Sequence, residues 1–292
     1  TKTAVAYLVL QLVDEGRFDL DRPFAEYLPK PLPEHDEFAD LAGDERWRRL
    51  TARHVLNHTT GFANFRWLEE DQRLRFHRDP GTRYGYSGEG FYILQLVLEE
   101  GLRLDVGAEM QRRIFDRFGM TRTSMQWRAD FRPNLADGYA LDGSFEPHDE
   151  RSSVSAPGSM DTTIADQARM WAGIINGEGL TATARTELTR PQVPIDSAHQ
   201  FPTLRPETDA RGPAIGLSAG LGLVTFIDPV AGPMVFKGGH NDWTGNMAIC
   251  QELRRRCVVF LGNSVRAELI YPELARFILG DTAMPWWWEY NR

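Results

Sequence analysis

Thr1-Lys2-Thr3-Ala4-Val5-Ala6-Tyr7-Leu8-Val9-Leu10-Gln11-Leu12-Val13 opens the chain, and from Ala4 to Val13 only Gln11 interrupts its apolar run. Good helix formers fill the segment, and neither Pro nor Gly occurs before Gly16, which predicts a helix to about Glu15. The turn Gly16-Arg17-Phe18-Asp19-Leu20-Asp21-Arg22-Pro23 follows, and Pro29 to Pro33 continues an irregular connection. Thr51 is placed to cap a short helix that ends at Thr59-Thr60-Gly61. Asp79-Pro80-Gly81 is a turn, and the loop 82–88 leads into helices over 91–100 and 106–118.

Beyond these helices the stretch 130–157 is rich in Gly, Pro and Asp and holds weak short strands at best. Helices are predicted over 162–175, capped by Thr162 or Thr163, and over 181–189. The Pro-rich polar stretch 191–213 reads as a long surface excursion. Apolar runs at 214–226, 234–236, 244–250 and 257–261, separated by Gly, Asn and Asp turns, then predict strands. A last helix over 267–279 precedes the aromatic tail Pro285-Trp286-Trp287-Trp288-Glu289-Tyr290, expected to pack against the body. The pattern is α/β in the α+β sense: a helix-rich middle, a late antiparallel sheet and a closing helix, with the first helix at the junction of two lobes.

With 292 residues, 42% hydrophobic and 25% charged, the chain can bury a substantial core. A net charge of -8 argues against nucleic acid as the main partner, because phosphate binding needs a basic surface. Arg254-Arg255-Arg256 reads as a solvated hairpin tip. No apolar stretch is long enough for a transmembrane segment; the longest, near 91–98, is broken by Gln95. The seven His form no ligand-spaced cluster and two Cys are too few for a metal, so no metal or cofactor is expected. Cys250 and Cys257 flank the hairpin tip and read first as two buried free thiols, with a disulfide across the strands as the alternative.

Three short elements carry chemistry when taken together. Lys2 stands fourth in what reads as Ser-x-Thr-Lys, with the serine expected two residues before Thr1. A lysine at i+3 on one helical face reaches a serine hydroxyl and takes its proton when burial or a cation lowers its pKa. Tyr86, in Tyr86-Ser87-Gly88, offers a phenol that a nearby cation turns into a proton relay. Lys237-Gly238-Gly239-His240 at a strand end offers a carboxylate-attracting cation, glycines that admit substrate to the backbone, and an N–H for an oxyanion. Singly, each is a cap, a turn or a strand end; their order and company favour the chemical reading.

In that order the sequence resembles the penicillin-recognising serine hydrolases, in the class C β-lactamase-related branch with its esterases, D-aminopeptidases and DD-peptidases. Thr51-Ala52-Arg53-His54-Val55-Leu56-Asn57-His58-Thr59-Thr60-Gly61-Phe62 is similar to the family's helix ending in His-Thr-Ser-Gly-Leu, the most specific match. Thr1-Lys2 and the helix after it resemble the Ser-x-x-Lys helix. Pro80 to Ser87 resembles the approach to Tyr-x-Asn, and Ala156-Pro157-Gly158-Ser159-Met160 another common segment. Lys237-Gly238-Gly239 stands where Lys-Thr-Gly or His-x-Gly belongs.

The resemblance implies a β-lactamase/transpeptidase-like fold: residues 1–292 as one domain, with a helix-rich lobe over about 20–190 and a sheet lobe from 1–15 and about 213–292. It implies an upstream segment supplying strands, without which the late strands would keep an uncovered edge. Lys2 would deprotonate the serine, and Tyr86 would protonate the leaving group and activate the deacylating water. Lys237 would orient a substrate carboxylate and lower the tyrosine's pKa. The His240 backbone N–H would be one oxyanion donor. The substrate would be a small ester, amide or β-lactam, and the compartment the periplasm or outside the cell. Gly88 stands where the family has Asn, which favours an esterase or peptidase over a β-lactamase, while Lys237 suits a carboxylate-bearing substrate. The alternatives are a catalytically inactive binding or scaffold protein of the same fold, and Thr1 as an N-terminal nucleophile. For His54 and His58 a structural role is expected.

Overall fold

The computed structural model of the chain describes residues 1–290. Helix α1 (Lys2–Asp14) is buried at every residue from Lys2 to Leu12, so the tertiary structure surrounds it on all sides. Helix α2 (Ala52–Leu56) starts at the Thr51 hydroxyl, which accepts the His54 N–H at 3.3 Å. Helix α3 (Glu89–Leu96) runs into a π turn over Val97–Gly101, and α4 (Val106–Met110) into another over Gln111–Phe115. Strands β1 (Gly138–Tyr139) and β2 (Phe145–Glu146) form a small hairpin. Helix α5 (Ile164–Asn176) is capped by Thr163 and ends at the left-handed Gly177; α6 (Ala182–Thr189) is capped by Thr181.

The main sheet is assembled from β3 (Val193–Pro194), β4 (Ser218–Ala219), β5 (Val224–Asp228), β6 (Gly232–His240), β7 (Gly245–Gln251) and β8 (Arg256–Gly262). They lie in sequence order with every pair antiparallel. Helix α7 (Arg211–Ala214) precedes β4, while α8 (Tyr271–Leu279) and the short α9 (Trp286–Glu289) close the chain.

Strand β6 places the site. Its residues alternate between faces. Val235 packs in the cluster that contains α1, α3 and the helical region, whereas Met234 and Phe236 pack with α8 and Trp288. Lys237 therefore shares the face turned to α1, and Gly238 the face turned to the C-terminal helices. Beyond Phe236 the partner on the β5 side stops at Val224, while pairing with β7 continues to His240↔Gly245. The end of β6 is thus an open edge, where alternate backbone groups of 237–240 face a cleft instead of a strand.

Three expectations are corrected. The apolar run 214–226 is not one strand: Gly216 and Gly222 take positive φ and break it into the end of α7, β4, a turn and β5. Cys250 and Cys257 are not free thiols but a disulfide joining directly opposed residues of β7 and β8, with Cα atoms 4.0 Å apart. Closely opposed positions in an antiparallel pair bring the side chains together, and that register exists only once the hairpin has formed. The stretch 191–213 is more than a surface excursion, since Gln200 within it is buried and Phe201 lies against two site residues. The tail packs inward as expected: Trp288 is fully buried against Phe236 and Tyr84, and its indole N–H donates to Ser197 Oγ at 3.0 Å.

Candidate active site

Lys2 sits in the first turn of α1, 8% exposed, where the helical region meets the sheet. Its Nζ donates to the carbonyl of Pro157 at 2.7 Å. The turn that supplies this acceptor also donates the Met160 N–H to Thr1 Oγ1 at 3.2 Å, so 156–160 braces the start of α1. The Thr1 hydroxyl is engaged there at the head of a helix. Aromatic rings enclose the amine, with the centres of Tyr86, Phe91 and Phe65 at 5.0, 5.6 and 5.9 Å. Burial, and after it the charge of Lys237, brings the Lys2 pKa down to about 7.

Tyr86 is carried by the loop before α3 and lies flat on His58, ring centres 4.3 Å apart. Its other neighbour is Lys237, whose Nζ is 4.6 Å from the Tyr86 ring centre. The structure thus brings Lys2, Tyr86 and Lys237 together. Electrostatically it differs from the expectation for the phenol: burial, with Glu289 adding to it, raises the Tyr86 pKa rather than lowering it. The reason is geometric. Lys237 stands over the π-face and donates to its neighbour's carbonyl, Gly238 O, at 3.0 Å. Burial also holds the Lys237 pKa below the usual lysine value.

His58 is buried at a positive φ of 55° and accepts the Ser87 N–H on Nδ1 at 3.2 Å. Burial, then Lys237 and Lys2, depress its pKa far enough to keep it neutral. It is the floor on which Tyr86 rests. His54 instead faces Gly81, away from these groups. His240 ends β6, and its Nδ1 lies 3.3 Å from Glu268 Oε1, a contact that raises its pKa. Gly239 has open space around its α-carbon.

Four residues of the site carried no signal in the motifs. Phe201 lies between Tyr86 and His240, with ring centres 5.2 and 5.4 Å away, and roofs the cleft. Gln200 donates to Glu289 Oε2 at 2.8 Å and ties that roof to α9. Glu289 is 3% exposed and lies directly behind β6; a Cβ at Gly238 would stand 1.7 Å from its Oε1. Burial pushes the Glu289 carboxyl upward, with Lys237 and His240 pulling against that shift. Phe65 fills the space in front of Gly88, where a Cβ would meet its Cε1 at 2.2 Å. The glycine in place of an amide residue was the one available hint of Phe65. Among the described residues no group of His, Cys, Asp and Glu is arranged to hold a metal, and no helix is long and apolar enough to cross a membrane.

The Beta-lactamase family model matches residues 1–279. A protein of Salmonella typhimurium, provisionally named a D-alanyl-D-alanine carboxypeptidase, is 20% identical over 314 residues, covering 93% of this chain and 69% of the relative. Among solved structures, the penicillin-binding protein from Bacillus halodurans superposes with a TM-score of 0.70 at 19% identity, over 94% of this chain and 83% of that one. A D-alanine carboxypeptidase from Burkholderia cenocepacia gives a TM-score of 0.68 at 20% identity, over 96% and 81%. A class C β-lactamase gives 0.67 at 16% identity, over 90% and 75%. These likenesses establish the fold, an antiparallel sheet with helices and a helix-rich region.

Proposed function

The chain belongs to the β-lactamase family, and on that premise we propose that it is a serine hydrolase of esterase or peptidase type. It acts through an acyl-enzyme whose nucleophile is the serine of Ser-x-Thr-Lys, two residues before Thr1. The observation that carries this reading is the convergence of Lys2 and Lys237 on one buried phenol, Tyr86, with their amines 5.0 and 4.6 Å from its ring centre.

With its pKa near 7, Lys2 is substantially neutral at physiological pH and has a lone pair for the serine proton. Serine Oγ then bonds to the substrate carbonyl carbon. Tyr86, held protonated by burial, gives its proton to the leaving oxygen or nitrogen as the scissile bond breaks. The tyrosinate so formed is the base for the second half of the reaction, with the Lys2 and Lys237 amines 5.0 and 4.6 Å from its ring centre. Water next loses a proton to the tyrosinate and attacks the ester. Lys2 returns its proton to serine, and the site is restored. At the open edge of β6, a backbone N–H near His240 serves the carbonyl oxygen; losing one such donor typically costs about 100- to 1,000-fold in rate. Lys237 is the residue that would attract a carboxylate on the substrate.

The test uses the intact protein with its upstream segment, incubated with a fluorophosphonate and analysed by intact mass and peptide mapping. One adduct per chain, on the peptide that runs into Lys2 and lost in Lys2→Ala, is the expected result. No adduct and no ester hydrolysis would overturn the hydrolase and leave a binding protein of the same fold.

A further inference from the structure

Phe65 and Gly88 form a complementary pair. A Cβ at position 88 would lie 2.2, 2.4 and 3.0 Å from Cε1, Cζ and Cδ1 of Phe65, so the ring occupies the volume that a side chain at 88 would take. The ring is not loosely placed. Its neighbour Arg66 binds the buried Glu89 carboxylate with Nη2 at 2.7 Å from Oε2 and its backbone N–H at 2.7 Å from Oε1. Asn64 receives the Gly88 N–H from the other side, on its carbonyl at 2.8 Å and on Oδ1 at 3.1 Å. The two segments on either side of the contact are therefore stapled together, and the ring is fixed before any ligand arrives.

On its outer side Phe65 stacks on Trp67, ring centres 4.1 Å apart and planes 10° from parallel. Trp67 is 52% exposed and the adjoining Leu68 67% exposed. On its inner side Phe65 borders the Lys2 amine. An apolar surface thus starts at the reacting groups and runs out to solvent, built from rigid rings and a leucine. No side-chain amide can stand at position 88 to pair with an amide of a substrate.

We propose that Phe65, Trp67 and Leu68 form an acyl-chain subsite, which makes the preferred substrates esters or amides of an apolar acyl group several carbons long. The proposal rests on the hydrolase reading for the acyl group being transferred. The wall itself is independent of catalysis, because an apolar carboxylate bound as product meets the same surface. A polar, peptide-like acyl group would leave its amide facing aromatic carbon without a partner, which a dry site penalises strongly.

Two measurements on the intact protein separate the inference from the hydrolase reading. In the first, kcat/KM is compared for p-nitrophenyl acetate, butyrate and hexanoate. The expected profile rises with chain length, by about 10-fold or more from acetate to hexanoate. In Phe65→Ala that hexanoate-to-acetate ratio falls toward one, and in Phe65→Leu it is largely kept. In the second, hexanoate and acetate are titrated calorimetrically, with no chemistry involved. Hexanoate should bind the more tightly, and Phe65→Ala should remove the difference.

Ester turnover with a flat chain-length profile, or a ratio unchanged in Phe65→Ala, overturns the subsite and leaves the hydrolase standing. Hexanoate binding that depends on Phe65, with no turnover of any ester, upholds the apolar wall and overturns the hydrolase. Loss of the thermal transition in Phe65→Ala directs the comparison to Phe65→Leu and Trp67→Ser, for which the same ratio decides.

Discussion

Lys2 and Lys237 both approach the Tyr86 ring, their Nζ atoms 5.0 and 4.6 Å from its centre. Burial first, and then the charge of Lys237, raise the cost of protonating Lys2.

The first prediction concerns pH. Activity should rise with pH through about 7 as Lys2 loses its proton. In Lys237→Gln that limb should move to higher pH, since a repelling charge has gone, and a pH profile of kcat/KM reads the shift. Stability follows with a definite sign. Between about 7 and the ordinary 10.5, folded Lys2 holds fewer protons than in the unfolded chain. Its contribution to stability is therefore complete above 10.5 and is lost as pH falls toward 7. Lys2→Met, which buries a thioether where an ammonium was, should lose activity yet melt about 2 °C or more higher at pH 6. A lower melting temperature would refute the burial argument.

Tyr86→Phe keeps the ring beside the two lysines and removes only the hydroxyl. Expected is a loss of about 100- to 10,000-fold in kcat with the melting temperature nearly unchanged. Residual activity within a few-fold of the parent would assign the proton transfers elsewhere.

His58 supports that phenol through a 4.3 Å stack and accepts the Ser87 N–H. His58→Ala leaves a cavity, an unpaired N–H and an alanine at positive φ, together about 2–4 kcal/mol by urea denaturation. Asn tolerates that backbone region better and can accept the N–H, so His58→Asn should recover part of the loss.

Gly238 and Glu289 meet through the sheet. Gly238→Ala places a methyl 1.7 Å from Glu289 Oε1 and must push that buried carboxylate out of its place and off Gln200, so it should destabilise the protein and lower activity. Adding Glu289→Ala makes room. A double-mutant cycle should give a favourable coupling of about 1–3 kcal/mol; additive effects would place the strain elsewhere.

The Cys250–Cys257 disulfide closes a short hairpin at the opposite end of β7 from Gly245, which faces His240. Reduction should lower stability by about 2–3 kcal/mol, as loop-closure entropy predicts for so small a ring, and leave activity unaltered. Calorimetry and an ester assay in the same reductant check both halves.

What was legible in the residues was local. Thr51, Thr163 and Thr181 mark helix starts because a cap is a bond between near neighbours. The late strands were visible because alternation and Gly-rich turns act over a few residues. The run 214–226 misled because its apolar content hid glycines that needed positive φ. The order of Thr1-Lys2, Tyr86 and Lys237-Gly238-Gly239 also pointed to one site before any geometry was known.

Only the tertiary structure decided how those groups behave. The Lys2 pKa depends on rings from Phe65, Tyr86 and Phe91 and on a charge from β6, and no local pattern encodes that company. The phenol rises where a nearby cation was expected to lower it, because burial outweighs a lysine that faces the ring. Phe65 in front of Gly88, and Glu289 behind Gly238, are contacts between distant segments whose sole trace in the sequence is a missing side chain. Bonding between near neighbours fixes elements one at a time, whereas burial and charge depend on every segment the fold brings within a few ångströms.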